Sequence, residues 1–225
     1  MRVLTAQPPD DSGADAFRRY RYQAHVAFTF ALNCYLRQGV LRVVLEHFED
    51  IYVELEDQHR FVAIKTRNPE LGPWRFRHLL ESNGALRSVL RTHRALGSFD
   101  DGRRIVYEIR LEGALDRDDE IRHLSRDGSG PTLTMLDGCV QKLSCTAAEA
   151  RGMLERVLVA APGPPRELIE DHNLGVLRHG AGHLPANDLK AAYDGTIDLI
   201  CRAMAAELLG ESWQTIALDE VPPDI

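Results

Sequence analysis

Asp50 and Lys65 are the residues of this chain whose types and spacing suit chemistry on a phosphate. They lie in the stretch VVLEHFEDIYVELEDQHRFVAIKTR, residues 43 to 67. Ile51, Val53 and Leu55 alternate there with Asp50, Tyr52 and Glu54. After Glu56-Asp57-Gln58-His59 the alternation resumes, with Phe61, Ala63 and Lys65 against Val62 and Ile64. This period of two predicts a half-buried hairpin with those four polar residues as its loop. Leu55 then pairs with Arg60, Val53 with Val62 and Tyr52 with Ala63, and Asp50 stands opposite Lys65, with β-carbons roughly 5 Å apart. One face is apolar and the other carries the acid and the lysine, just after Glu46 closes a preceding strand.

Hydrolysis of a phosphodiester needs an activated water, an in-line approach and stabilisation of the charge gathering on the phosphoryl oxygens. Mg²⁺ keeps several waters and needs only one or two carboxylates plus substrate oxygens. Asp50 is therefore the first expected ligand of Mg²⁺ or Mn²⁺, Glu46 the second, and the backbone carbonyl of Ile64 a further oxygen. Lys65 is expected to orient the attacking water or to hold the scissile phosphate. On spacing alone, an Asp opposite a Lys also reads as a surface ion pair worth under about 1 kcal/mol.

The elements that must position these residues follow from periodicity. Phe17, Tyr20, Ala24, Ala27, Phe28, Ala31, Leu32 and Tyr35 recur at helical spacing, predicting a helix over residues 14–37 that ends at Gln38-Gly39. A strand is expected over 40–45 and a helix over 74–96, weakened at Gly84. A strand is expected over 104–111 after the Asp101-Gly102 turn. The acidic stretch from Asp116 to Pro131 reads as a loop and as the most mobile internal segment. Helices are expected over 146–160, with Thr146 and Glu149 as a capping box, then over 165–178 and 185–209. His172, His179 and His183 read as part of an interhelical region rather than a metal site. The last residues, from Asp219, read as a frayed tail.

Composition bounds the class. The chain has 225 residues, 44% hydrophobic and 27% charged, as in an ordinary globular protein. No run reaches eighteen apolar residues and the start carries no signal-peptide core, so a cytoplasmic protein without membrane contact is expected. Cys34, Cys139, Cys145 and Cys201 show no CxxC spacing, which argues against a zinc or redox site. The net charge of −7 is unevenly spread. Residues 1–104 hold sixteen Lys and Arg against thirteen Asp and Glu, and residues 105–225 hold eleven against twenty-one. The basic excess surrounds the motif region, and the acidic second half suits a protein partner or self-association.

Arg18-Arg-Tyr-Arg-Tyr-Gln23 before an apolar helix, then Glu46-x-x-Glu-Asp50-Ile-Tyr-Val, then Val62-x-Ile-Lys65-Thr-Arg67, resembles the PD-(D/E)xK nuclease superfamily. Within it these motifs look like the nuclease domains of bacterial anti-phage effectors, those of CBASS systems and those encoded beside HerA-type ATPases. The resemblance covers about the first third of the chain. It implies an α/β restriction-endonuclease-like core of order αβββαβ over residues 1–145, with a helical annex over 146–225. It also implies a Mg²⁺-dependent double-stranded DNA endonuclease that works as an oligomer under an ATPase or sensor partner. Gln23 is implied near the metal or the scissile phosphate, and Arg18, Arg19, Arg21 and Arg67 near the DNA backbone. One position departs: where the family has Gln or Glu two residues before the lysine, this chain has Ala63. Glu46 or Gln23 in its place, a disabling change, or a nuclease-fold relative that binds DNA or a partner without cutting would each account for that.

Overall fold

The computed structural model describes residues 12–36, 38–47, 49–67, 69–97, 99–125, 128–160, 164–181 and 183–208. The last residues, from Asp219, and the first eleven lie outside these. The first helix, α1, spans Ser12–Tyr35, and Gly39 follows it at φ +77°, the left-handed backbone that glycine adopts without a Cβ penalty. Three strands come next: β1 (Val40–His47), β2 (Glu49–Leu55) and β3 (Gln58–Lys65). After the short α2 (Phe76–Leu79) and α3 (Ala85–Leu96) comes β4 at Arg104–Leu111, the bounds expected from its alternation. The α/β class and the αβββαβ order are thus present.

The sheet runs in sequence order, β1 to β4 and then β5 (Val157–Val159). β1, β2 and β3 are antiparallel neighbours, while β3, β4 and β5 are parallel. Parallel pairing demands crossover connections, and helices supply them. α3 lies in the first crossover; α4 (Leu133–Leu143) and α5 (Ala147–Leu154) lie in the second. One face of the sheet, with Phe61, Ala63, Tyr107, Ile109 and Leu111, packs in one core with Leu86, Val89, Met135 and Met153 of these helices. The other face, with Ile51, Val53, Val62 and Ile64, packs in a second core on α1 and on α6 (Ile169–Gly180) and α7 (Ala186–Leu208), through Ala24, Phe28, Ile169, Tyr193 and Ile197. β3 is buried on both sides, so its two faces belong to two different cores.

Several expectations are corrected. The β2–β3 turn is two residues, Glu56-Asp57, and the register pairs Ile51 with Val62 and Val53 with Arg60. That is a slip of two residues from the expected pairing. Gln58 and His59 look like loop residues but enter β3 because each finds a partner inside. His59 meets the Tyr52 hydroxyl at 2.7 Å and Asp101 at 2.9 Å, and the Gln58 carbonyl accepts from Arg104. The helix expected over 74–96 breaks in two between Leu79 and Ala85, at a corner so tight that a Cβ on Gly84 would sit 2.3 Å from the Leu79 carbonyl oxygen.

The stretch after residue 115 makes specific contacts with the start of α2. Asp116 holds Arg75 at 2.7 Å, and Asp119 Oδ1 accepts from the backbone N–H of Phe76 at 2.7 Å and of Ile121 at 3.0 Å. α4 was not expected, although Thr132 caps it by accepting from Met135 N–H, and Met135, Leu136, Cys139 and Leu143 carry the helical stripe. Thr146 and Glu149 do form the expected capping box, but α5 ends at Leu154 and β5 follows. Helix α5 and strand β5 share a core with α3 and β4. Among the described residues no helix is long and apolar enough to cross a membrane.

Candidate active site

The cross-strand register assembles the site. β1 pairs Leu45 with Ile51 and His47 with Glu49, so position 46 stands directly across from Asp50. Continuing the β2–β3 register by one step places Ala63 on the other side of Asp50, and Ala63 itself pairs with Ile109 of β4. Positions 46, 50, 63 and 109 therefore form one row across four strands. Neighbours in such a row have β-carbons about 4.5–5.5 Å apart. Because a two-residue slip leaves every side chain on its own face, Asp50 and Lys65 still share a face. Lys65 sits two residues past Ala63, at the carboxyl end of β3.

Asp50 is held by the strand it faces. Its Oδ2 accepts from the Ile64 backbone N–H at 2.5 Å. A strand residue points its N–H and C=O to the same side, so the Ile64 carbonyl also faces β2. The Lys65 carbonyl goes the other way, to the Glu112 N–H at 2.9 Å. Burial pushes the Asp50 carboxyl above its ordinary value, against the opposing pulls of the Ile64 N–H and of the Lys65 charge. The field of Lys65 thus reaches the carboxylate that the sequence pairs it with.

Glu49 is the residue that sequence reading missed. Strict alternation assigns it to the opposite face from Asp50, but it sits at the tip of the β1–β2 hairpin, where one residue separates His47 from Glu49. Its side chain turns to α3, with Oε2 accepting from Ser88 at 2.9 Å and Oε1 from Thr92 at 2.8 Å. Glu49 is only 8% exposed. Burial raises its pKa; the two hydroxyls lower it, Asp50 raises it and Lys65 lowers it again. The only signal in the sequence was the adjacent acid pair Glu49-Asp50.

The remaining expected residues are placed as follows. Of Glu46 only the backbone is described, in β1 opposite Asp50. Gln23 is half-buried on α1, the helix that packs on the opposite face from Asp50 and Lys65. Arg18, Arg19 and Arg21 are exposed on the first turns of α1. Arg67 is committed internally: it bonds His78 Nδ1 at 3.0 Å and the Leu71 carbonyl, and lies 4.9 Å over the Trp74 ring. Ala63 is 1% exposed and packs in the core with Tyr107 and Ile109, so position 63 supplies a methyl group where a ligand is expected. Among the described residues no group of three His, Cys, Asp or Glu is placed to hold a metal ion.

One cavity, of about 1090 Å³, opens at the amino ends of β3 and β4, beside Gln58, Arg104 and Arg156. At about 3.3 Å per residue, the length of β3 separates it from Lys65 by roughly 20 Å. A second cavity of about 660 Å³ is lined by Arg67, Gly113, Leu115, Asp116 and Arg117 at the carboxyl ends of β3 and β4. Neither Asp50 nor Lys65 lines either of these cavities.

Residues 11–109 match the family model described as Cap4, dsDNA endonuclease domain. That segment contains Gln23, Glu46, Glu49, Asp50, Ala63 and Lys65, and it runs through β4 as far as Ile109. No curated protein matches the chain. Similar solved structures include the Acinetobacter baumannii Cap4 SAVED/CARF-domain containing receptor with the cyclic trinucleotide 2'3'3'-cAAA, at 17% identity and TM-score 0.49, covering 82% of this chain and 40% of that one. The same receptor, described without a nucleotide, is 15% identical, at TM-score 0.49, covering 82% and 42%. The chain thus spans about 40% of the length of these receptors.

Proposed function

We propose that this chain is the cutting domain of a bacterial anti-phage effector, a Mg²⁺- or Mn²⁺-dependent double-stranded DNA endonuclease. The observation that carries this reading is the common face of Asp50 and Lys65 at the carboxyl end of β3, within the segment that matches the Cap4 nuclease domain. The donor set fits a hard divalent cation: the Asp50 carboxylate, the acidic position 46 across from it, and a carbonyl, that of Ile64, on the same strand edge. Bound there, such an ion would lower the pKa of a water and neutralise charge on the phosphoryl oxygens. Asp50 is kept in one rotamer by the Ile64 N–H. Lys65 supplies a fixed ammonium that orients the attacking water or holds a non-bridging phosphate oxygen.

On α1, which packs on the other face of the sheet, Arg18, Arg19 and Arg21 are the residues we assign to the DNA backbone, with Gln23 on the same helix. Arg67, with its guanidinium tied to His78 and Leu71, acts as a brace for the loop after β3 rather than as a mobile phosphate contact. Double-stranded DNA is the substrate, and the compartment is the cytoplasm. A second copy of the chain and a HerA-type ATPase or sensor partner are the assembly we propose, with the acidic half as the docking side. A second reading rests on Ala63: without a side-chain oxygen there, the fold binds DNA or a partner and does not cut.

Plasmid incubated with the purified chain and Mg²⁺ or Mn²⁺ decides between the two. Cleavage that disappears in Asp50→Ala and in Lys65→Ala supports the enzyme. Cleavage at full rate by both variants excludes this site, and DNA binding with no cleavage by the unaltered chain favours the second reading.

A further inference from the structure

Three glutamates in the described residues are buried nearly completely: Glu49, Glu108 and Glu112, at 8%, 2% and 6% exposure. Two of them have cationic partners. Glu108 takes Arg60 at 2.9 Å and Arg110 at 2.5 Å, and Glu112 takes Arg166 at 2.6 Å. Glu49 has two neutral hydroxyls instead, from Ser88 and Thr92, and among the described residues no basic group lies within ion-pair distance of it. Removing a carboxylate from water costs several kcal/mol unless a cation compensates. Next to it in sequence stands a second carboxylate, Asp50, and the two share the field of a single lysine, Lys65. Among the described residues, negative charge at the hairpin tip therefore exceeds the positive charge set against it.

We infer that Glu49 is a carboxylate ligand of the divalent cation, oriented by the Ser88 and Thr92 hydroxyls of α3, and that it takes the place of the side chain missing at Ala63. The inference rests on the nuclease reading of the Asp50 site. Each Glu49 oxygen accepts one hydroxyl, and a carboxylate oxygen has a second lone pair. Hydroxyls that bond a ligating carboxylate from behind fix its rotamer, and their loss typically costs 10–100-fold in metal affinity. This arrangement brings α3 into the site: the helix carries no ligand but aims one.

The test is Mn²⁺ binding to the full chain without DNA, read from the loss of the free Mn²⁺ paramagnetic resonance signal, with thermal unfolding to verify that each variant is folded. Glu49→Gln keeps the shape and one acceptor oxygen for the hydroxyls but removes the charge, and weakens Mn²⁺ binding by at least about 10-fold. Ser88→Ala/Thr92→Val, with Glu49 intact, weakens it by about 10–100-fold. Ala63→Gln in the Glu49→Gln background restores part of the loss. If Glu49→Gln binds Mn²⁺ as tightly as the unaltered chain while Asp50→Asn has lost binding, Glu49 is not a ligand and the nuclease reading stands without it. If the unaltered chain does not bind Mn²⁺ at all, the metal-dependent reading fails together with this one.

Discussion

Asp50 and Glu49 are neighbours in sequence held by different elements, one by a β3 backbone N–H and the other by two α3 hydroxyls. Burial raises the pKa of both. Between its unfolded and folded values each group binds protons more tightly in the folded chain. The associated stability is complete below the unfolded pKa and is lost as pH rises through the folded one. Asp50→Asn, which removes the buried charge, is therefore expected to raise Tm at about pH 8, with the gain shrinking toward about pH 4. A chain of this length shifts by about 2–4 °C per kcal/mol. Thermal unfolding at the two pH values checks this, and a Tm for Asp50→Asn below that of the unaltered chain at the higher pH would contradict it. Added Mn²⁺ is expected to stabilise the unaltered chain and not the variant. Asp50 and Lys65 were legible from alternation alone because alternation decides the face. Glu49 was not, because a hairpin tip releases its residue from the alternation that the pattern assumes.

Among the elements, the α1–β1–β2–β3 path was readable, and β4 matched to the residue. The register was not. Gln58 and His59 have the composition of a loop, and only Tyr52, Asp101 and Arg104, distant in sequence or across the strand, show why they are buried in β3. α4 carried a Thr132 cap and a clear stripe, yet it followed an acidic segment whose tertiary partners, Arg75 and the start of α2, were invisible locally. The three-residue β5 is too short for any period to mark. The break between α2 and α3 depends on Gly84. Gly84→Ala is expected to destabilise the fold by at least about 2 kcal/mol, since its Cβ would meet a backbone carbonyl and not a side chain that can yield. Chemical denaturation measures this, and a stability equal to that of the unaltered chain would mean that the α2–α3 corner relaxes freely.

In the whole molecule, charge is both paired inside and segregated outside. Arg166 closes Glu112 in a two-pronged contact that ties the segment before α6 to the end of β4. Arg166→Ala leaves a buried carboxylate without its partner and is expected to cost about 3–5 kcal/mol, as read by denaturant unfolding. A loss below 1 kcal/mol would show that water replaces the arginine. Outside, the exposed Arg18 and Arg21 near the start of α1 are assigned to the DNA backbone. Arg18→Ala/Arg21→Ala is expected to weaken binding to all sequences alike and to reduce the slope of log affinity against log salt by about 2. An unchanged slope would remove α1 from the DNA-binding surface. The net charge of −7 hid this division, which the split between the two halves of the sequence made visible.

The account depends most on Asp50 acting on DNA from a row that lacks a ligand at position 63. One experiment reads this directly: the initial rate of supercoiled plasmid cleavage in Mg²⁺ by the unaltered chain, Ala63→Gln and Asp50→Ala, at equal protein concentration. The predicted result is cleavage by the unaltered chain, a rate for Ala63→Gln at least as high, and none for Asp50→Ala. Cleavage by Asp50→Ala at the unaltered rate would contradict the account.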